Sequence, residues 1–417
     1  MAEKTFDVAI IGSGPGGYTA ALKAASLGKK VAVIEKDSIG GVCLNRGCIP
    51  TKAIIASVSL YTKMLKAGEY GIEAEAPRLN WAGILKRKQR VVSKLGKGIE
   101  FLFKKAGVEL LKGTGSIKGT GCVSVENAGV TKEITCGDII IATGTEKSIL
   151  PGFRNAITSD EALELGDIPS SMAVIGAGAV GIEFASIFSA LGTDITIYEM
   201  MPEILPNEDK DISSEISQIL QKRNIKIITG QKADPEKISA AAVLLTGRKF
   251  KKIDVDTGMR TKEKGIYAIG DVTGMANYAH VASMQGIVAA ENICGITSKM
   301  DYSAVPACTF TDPEIASVGL TEQKAGATGI EYSVSNFPFA ALGKSACEGD
   351  IRGFVKLIID KRTRTVIGCH IVGPHASDLI QEGVIAVKKK ISCDELAKTI
   401  HAHPTMPEAL WEAARSL

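Results

Sequence analysis

The sequence has little of what would mark a polyanion binder, a membrane protein or an extracellular scaffold. Its 49 Lys and Arg against 46 Asp and Glu leave a net charge of only +3 over 417 residues, which makes no case for nucleic acid. No continuous apolar run approaches the roughly 20 residues that a membrane span needs. The amino terminus, MAEKTFDVAIIG, enters a strand-like run almost at once and leaves no room for a secretory or basic amphipathic leader, so a cytoplasmic location is expected. The 9 cysteines are too dispersed for a disulfide-stapled fold, and Cys122, Cys136, Cys294, Cys308, Cys347, Cys369 and Cys393 read as packing residues. No second Cys or His pair follows at zinc-site spacing, so no metal is expected. The length allows two or three domains, each with its own core.

Two cysteines stand apart from the rest, Cys43 and Cys48 in GGVCLNRGCIPTK. In a regular helix, residues five apart have Cα atoms about 8 to 9 Å apart, beyond the usual disulfide span of about 4.4 to 6.8 Å. The pair can therefore bridge only across an irregular turn. Gly40, Gly41 and Gly47 supply the backbone freedom, and Pro50 suits the first turn of a helix running on through Thr51 to Ser59. A thiol at that helix start has its thiolate favoured by unpaired N–H groups, which makes Cys48 the better electronic partner. The alternative is a pair of small hydrophobes or a structural bridge.

A nucleotide-binding pattern occurs twice. Phe6 to Ile11 reads as a buried strand, followed by GSGPGG with Gly12, Gly14 and Gly17, a helix to about Leu27, and a strand from Lys30 to Ile34 that delivers Glu35. The second copy runs from Met172 to Ile175 into GAGAVG, with Gly176, Gly178 and Gly181, a helix to about Leu191, and a strand ending in Glu199. The first glycine of each permits the tight turn, the second admits a pyrophosphate, and the third lets helix pack on sheet. Each acid suits two ribose hydroxyls. No Arg stands beside Glu199 in TIYEMMPE to receive a 2′-phosphate, which favours NAD over NADP. Two dinucleotides and a thiol pair imply an electron relay from nicotinamide through flavin to disulfide. In GIYAIGDVTG, Asp271 would accept from flavin ribityl hydroxyls while Gly270 allows close approach; alone, the acid could merely cap a turn.

With GGVCLNRGCIPTK, IIIATG (Ile139 to Gly144), GAGAVGIEFASIF, YAIGDVTG and HAHPTMPE in place, the chain resembles the two-dinucleotide-binding pyridine nucleotide–disulfide oxidoreductases, specifically those acting on dihydrolipoyl groups. The resemblance runs from the first fingerprint to the tail. It implies an α/β fold with two Rossmann-like dinucleotide-binding domains plus a carboxy-terminal α+β dimerisation domain. The FAD-binding domain would cover 1–150 and 265–300, the NAD-binding domain 151–264, and the interface domain 301–417. It further implies a homodimer, FAD on the first unit, NAD on the second, and lipoylated carrier domains of 2-oxo acid dehydrogenase complexes or the glycine-cleavage carrier as partners. By resemblance Cys48 faces the flavin, Cys43 meets the substrate, Lys52 and Glu183 pair near the flavin, and His403 with Glu408 supplies the base and its orienter.

The residues themselves lend those assignments partial support. An imidazole changes protonation near neutral pH, and Glu408 can orient His403 if HPTMPE bends back, as Pro404 and Pro407 favour. His401 suits a packing or supporting role. Lys52 alone would read as a solvated helix residue, and Glu183 as a favourable helix-terminal charge. Glutathione-type relatives carry a CVNVGCVPKK-like loop and prefer NADP; mercuric-type relatives end in an extra cysteine pair, which WEAARSL lacks. A noncatalytic binding flavoprotein would not need Cys43, Cys48 and His403 together. One departure stands out: between Gly230 and Lys264 the family has a longer antiparallel excursion before LLTGRK and a longer connection after it. Either natural deletions simplify the fold or mobile segments are missing from this stretch; the second is the expected cause, and contacts near Gly247 and Arg248 depend on it.

Overall fold

The computed structural model describes residues 5–417. The chain divides into two compact units. The first comprises the segment through Ile54, Asn80–Ser148 and Gly247–Asp301; the second comprises Ile55–Leu79, Ile149–Thr246 and Tyr302–Leu417.

In the first unit the apolar run of Thr5–Ile11 forms the central parallel strand of a seven-stranded sheet, flanked by Val31–Glu35 on one side and Val130–Ile141 on the other. Glu109–Lys112 continues beyond Val31–Glu35. The strand Val130–Ile141 has two roles. Its first half pairs antiparallel with Cys122–Asn127, while its end, Ile139 to Ile141, pairs parallel with Ile266–Ala268. A strand from late in the chain thus joins the sheet opened by the first strand. The helices Pro15–Ser26 and Ala279–Ile293 cross closely, because a Cβ on Gly286 would lie 2.5 Å from the carbonyl oxygen of Gly16. That crossing requires glycine, not merely a small residue.

The second unit holds two sheets. Strands Ser171–Ile175, Asp194–Tyr198, Lys226–Ile228, Ala242–Leu245 and Ala156–Thr158 make a parallel sheet with Ser171–Ile175 at its centre. The other is antiparallel, in the order Ala307–Thr309, Glu314–Gly319, Val366–Gly373, Phe354–Asp360, Tyr332–Pro338. Helices Ala376–Lys389 and Glu408–Arg415 contribute Leu379, Ile380, Leu410 and Ala413 to the core over this sheet. The α/β class and the α+β character of the carboxy-terminal region follow from these elements. No helix among the described residues is long and apolar enough to cross a membrane.

The short stretch belongs to the chain itself. The 417 residues run without interruption from Lys226–Ile228 through a single turn of 3₁₀ helix at Pro235–Lys237 into Ala242–Leu245, which pairs directly with Ser171–Ile175. The absent segments expected from sequence are therefore not needed: the parallel sheet closes without an antiparallel excursion. Residues 247–264, placed with the nicotinamide domain by sequence, lie in the first unit. Their attachment is main-chain: Arg248–Lys249 pairs with Glu146–Lys147, and Ile253 N donates to Val272 O.

Candidate functional site

Both glycine-rich turns have the geometry their spacing implies. Gly12 and Gly176 adopt φ of +104° and +101°, a region costly to other residues. A Cβ on Gly17 would lie 2.0 Å from Gly12 O, and one on Gly181 would lie 2.0 Å from Gly176 O, so these third glycines let the helix start against the turn. Gly14 and Gly178 are different. Nothing lies within 4 Å of a Cβ built on either, and each immediately precedes a helix, Pro15–Ser26 or Ala179–Ala190, whose first N–H groups need acceptors. The residues present fit a dinucleotide pyrophosphate at both turns.

The two acids are held alike. Glu35 Oε2 accepts from Ser13 N at 2.9 Å and Ser13 Oγ at 2.7 Å, and its Oε1 accepts from Asp37 N at 2.8 Å. Glu199 Oε2 accepts from Ala177 N at 2.7 Å and its Oε1 from Met201 N at 2.9 Å. Both are buried carboxylates with remaining lone pairs for ribose hydroxyls. In the first unit, Ala142 O lies under Gly12, and Gly144 follows at φ +67°. Asp271 sits in the turn Gly270–Thr273 after Ile266–Ala268, and accepts from Thr145 Oγ1 at 3.4 Å. Burial pushes its carboxyl above the usual range, with Arg248 pulling the other way. Gly270 N, at φ +77°, donates to Gln285 Oε1 at 2.6 Å.

Cys43 lies in the short helix Gly41–Arg46 and Cys48 opens the helix Cys48–Leu65; Gly47, with φ −140° and ψ −111°, breaks the two apart. That break is the irregular turn expected between the thiols, and the second helix outruns Ser59 by a turn and a half. Both cysteines are thiols here, Cys48 exposed and Cys43 partly buried. Cys43 is strongly shifted toward its protonated form, first by its hydrogen bond to Cys48, then by burial and by charge on Cys48. The Lys52 ammonium, one turn along the helix, opposes that shift. Tyr18 also faces the pair, its hydroxyl pushed up by burial and by both thiols.

The second unit carries the remaining residues. Glu183 is buried on the helix Ala179–Ala190 and accepts from Phe310 N at 2.9 Å. Lys52 belongs to the first unit and Glu183 to the second. His403 Nδ1 lies 2.8 Å from Glu408 Oε1, and Glu408 Oε2 accepts from Thr405 N at 2.7 Å. HPTMPE does bend back, with Glu408 opening the helix Glu408–Arg415. The Thr405 N–H, then the His403 ring, hold the Glu408 carboxyl below its ordinary range despite partial burial. With Glu408 accepting, Nδ1 is the donor and Nε2 keeps a lone pair; the ring is 78% exposed. His401 is enclosed instead, at 8%. Sequence reasoning missed Ser13, Gln285, Thr145 and Tyr18. Of these only Gln285 left a signal, a single amide in the apolar run VASMQGIVAA.

Comparison with known proteins agrees with this geometry. The family pattern "Pyridine nucleotide-disulphide oxidoreductase" matches residues 6–251 and 229–286, and that family's dimerisation domain matches 305–414. A dihydrolipoyl dehydrogenase of Bacillus subtilis is 38% identical over 98% of this chain and 97% of its own. One from Geobacillus stearothermophilus is also 38% identical, over 97% of this chain and 94% of its own. The crystal structure of LpdA from Mycobacterium tuberculosis superposes with a TM-score of 0.91 at 28% identity, covering 99% of both chains. The flavoprotein disulfide reductase RclA of Escherichia coli shares the fold, with a TM-score of 0.90 at 24% identity over 99% of this chain and 100% of its own.

Proposed function

The chain belongs to the pyridine nucleotide-disulphide oxidoreductase family, and on that premise we propose that it oxidises protein-bound dihydrolipoyl groups with NAD, through a Cys43–Cys48 disulfide and FAD. The observation that carries the reading is the thiol pair itself: two cysteines brought together at a helix start, hydrogen-bonded to each other, in the same unit as a dinucleotide turn. Gly12, Gly14, Gly17, Glu35, Lys52, Gly144 and Asp271 are assigned to FAD. Gly176, Gly178, Gly181 and Glu199 are assigned to NAD, and Glu183, by the family resemblance, to the flavin site. Bound FAD supplies the electron relay between the dithiol and NAD. The domains run 1–150 with 265–300, 151–264, and 301–417 in this assignment, with residues 247–264 of the middle one packed in the first compact unit.

The chain's own residues do the thiol chemistry. One substrate thiol gives its proton to His403 Nε2 and attacks Cys43 Sγ; the Cys43–Cys48 bond breaks and Cys48 leaves as a thiolate. The second substrate thiol then displaces Cys43, closing the lipoyl disulfide and leaving Cys43 as a thiol. Two electrons and two protons have left the substrate. Glu408 keeps the His403 proton on Nδ1 and stabilises the imidazolium when it forms. We assign the base to the partner subunit of a homodimer, supported by the dimerisation-domain match over 305–414 and by the exposure of the His403 ring. The carrier is a lipoylated domain of a 2-oxo acid dehydrogenase complex or of the glycine-cleavage system. A cytoplasmic setting, where a nicotinamide pool is at hand, belongs to the same proposal.

The test compares NADH turnover with lipoamide, oxidised glutathione and no acceptor, in the wild type, Cys43→Ser and Cys48→Ser proteins. Lipoamide turnover lost in both variants, with FAD retained, supports the reading. Normal lipoamide turnover in either variant, or a preference for glutathione, overturns it.

A further inference from the structure

A second histidine–carboxylate pair lies beside the first. His401 Nε2 is 2.9 Å from Glu382 Oε1, on the helix Ala376–Lys389, and His401 Nδ1 is 2.9 Å from the Thr399 carbonyl. Both partners are acceptors: a carboxylate has no proton to give, and a carbonyl never does. Each ring nitrogen thus faces an acceptor, and the ring is tied at both ends. Trp411 packs against the ring with centroids 6.3 Å apart and donates from Nε1 to Ala397 O at 2.9 Å. The charged groups near the ring are Glu382 and Glu408, and Arg415 lies over the Trp411 ring at 4.4 Å.

This arrangement acts on the loop that bears the catalytic base. The segment before His403 is clipped to Ala376–Lys389 through His401 and Glu382, and to Glu408–Arg415 through Trp411. After His403, Thr405 Oγ1 donates to Ala402 O at 2.6 Å and Thr405 N donates to Glu408. The exposed His403 ring is thus carried on a short loop anchored on both sides, and the Glu408 carboxylate faces two imidazoles with different duties.

Resting on the dihydrolipoyl reading above, we propose that His401, paired with Glu382, is a positioning residue for the reaction. It anchors the loop that aims His403 Nε2. A 1 Å displacement of a reacting group can cost about a hundredfold, and a partial release of one anchor should cost less. For His401→Gln we expect a fall of roughly tenfold in kcat for dihydrolipoamide oxidation, with KM changed less than threefold. Glu382→Gln should reproduce the effect in part, and the double variant should be no worse than His401→Gln alone, because the two act as one pair.

NADH oxidation by an artificial quinone acceptor reports on the nucleotide sites without needing His403, and should stay at the wild-type level in all three variants. The wild-type protein run alongside separates the two readings: if it fails to oxidise dihydrolipoamide, the dihydrolipoyl function falls, whatever the variants do. With an active wild type, an unmoved kcat in His401→Gln would overturn the positioning role. Parallel losses of quinone and dihydrolipoamide turnover, or additive losses in the double variant, would overturn it equally.

Discussion

Replacing Glu408 by Gln tests the proposed catalytic pair, His403 and Glu408, most directly, because the substitution keeps the shape and removes the charge. In the native arrangement the carboxylate sits 2.8 Å from His403 Nδ1 and is itself fixed by Thr405 N. Two things are lost in the variant. The first is attraction for the imidazolium that forms when His403 takes the substrate proton. The His403 ring is 78% exposed, so water screens the pair; at a bulk dielectric constant the charges at this distance are worth about 1.5 kcal/mol, or roughly tenfold in rate. The second is tautomer control. An amide can turn its NH₂ toward Nδ1, which would put the proton on Nε2, the atom that must accept it. Since positioned general bases contribute about 10²- to 10⁴-fold, a partly wrong tautomer can add another factor of up to ten. The expected loss is ten- to a hundredfold in kcat for dihydrolipoamide oxidation by stopped-flow or steady-state assay, with FAD content and NADH-to-quinone turnover intact. A Glu408→Gln protein within threefold of wild type would refute the assigned role of the pair.

Glu199→Ala should weaken NAD use by about tenfold or more in kcat/KM while FAD stays bound, and the wild type should prefer NADH to NADPH, since a carboxylate repels a 2′-phosphate; equal efficiencies with the two nucleotides in the wild type would contradict the assignment. Lys356 should matter for stability. It is fully buried, with Nζ 2.8 Å from Asp209, which is equally buried, and 2.7 Å from Asp211 and Glu322. Lys356→Met leaves Asp209 as an uncompensated buried charge and should destabilise the second unit by about 3–5 kcal/mol, read as a fall of several degrees in thermal melting; an unchanged melting temperature would argue against it. The Asp209 carboxyl is held below its usual range, chiefly by the Lys356 hydrogen bond acting against its burial. A depressed carboxyl stabilises above its unfolded value and loses that contribution as pH falls through the folded one, so the wild-type advantage over Lys356→Met should shrink below about pH 4.

Much of the site could be read from sequence because its key residues are close along the chain or sit in patterns imposed by the backbone. Gly12 and Gly17 interact within one turn, Cys43 and Cys48 across one glycine, His403 and Glu408 across one bent loop. Glycines that must clear a carbonyl and thiols that must meet leave little choice of spacing. What stayed hidden depends on side chains brought together from afar. Gln285 reaches Gly270 from another helix, and Glu382 reaches His401 from the helix Ala376–Lys389. Lys356, in FVKLIID, has the outward look of a charge alternating on a strand. It is instead fully buried, because Asp209, 147 positions earlier, is buried against it. The shortened stretch was read from what the family has rather than from what this chain needs. Nothing in a strand pattern says that Lys226–Ile228 can hand over to Ala242–Leu245 through one 3₁₀ turn.

Glu35 and Glu199 each join the turn after one strand to the glycine turn of the neighbouring strand, through main-chain N–H groups on both sides. Nucleotide preference and local backbone architecture are therefore written in the same atoms. A lineage, or an engineer, that exchanged Glu199 for a residue tolerant of a phosphorylated ribose would also untie Ala177 from Met201, so the first step toward the other coenzyme would cross a valley in which neither is well held. The route around it begins elsewhere, with a replacement donor-and-acceptor bridge between those two loops, and only afterwards with the ribose. Selectivity guarded in this way is conservative by construction, because the residue that discriminates is also the one the fold can least easily release.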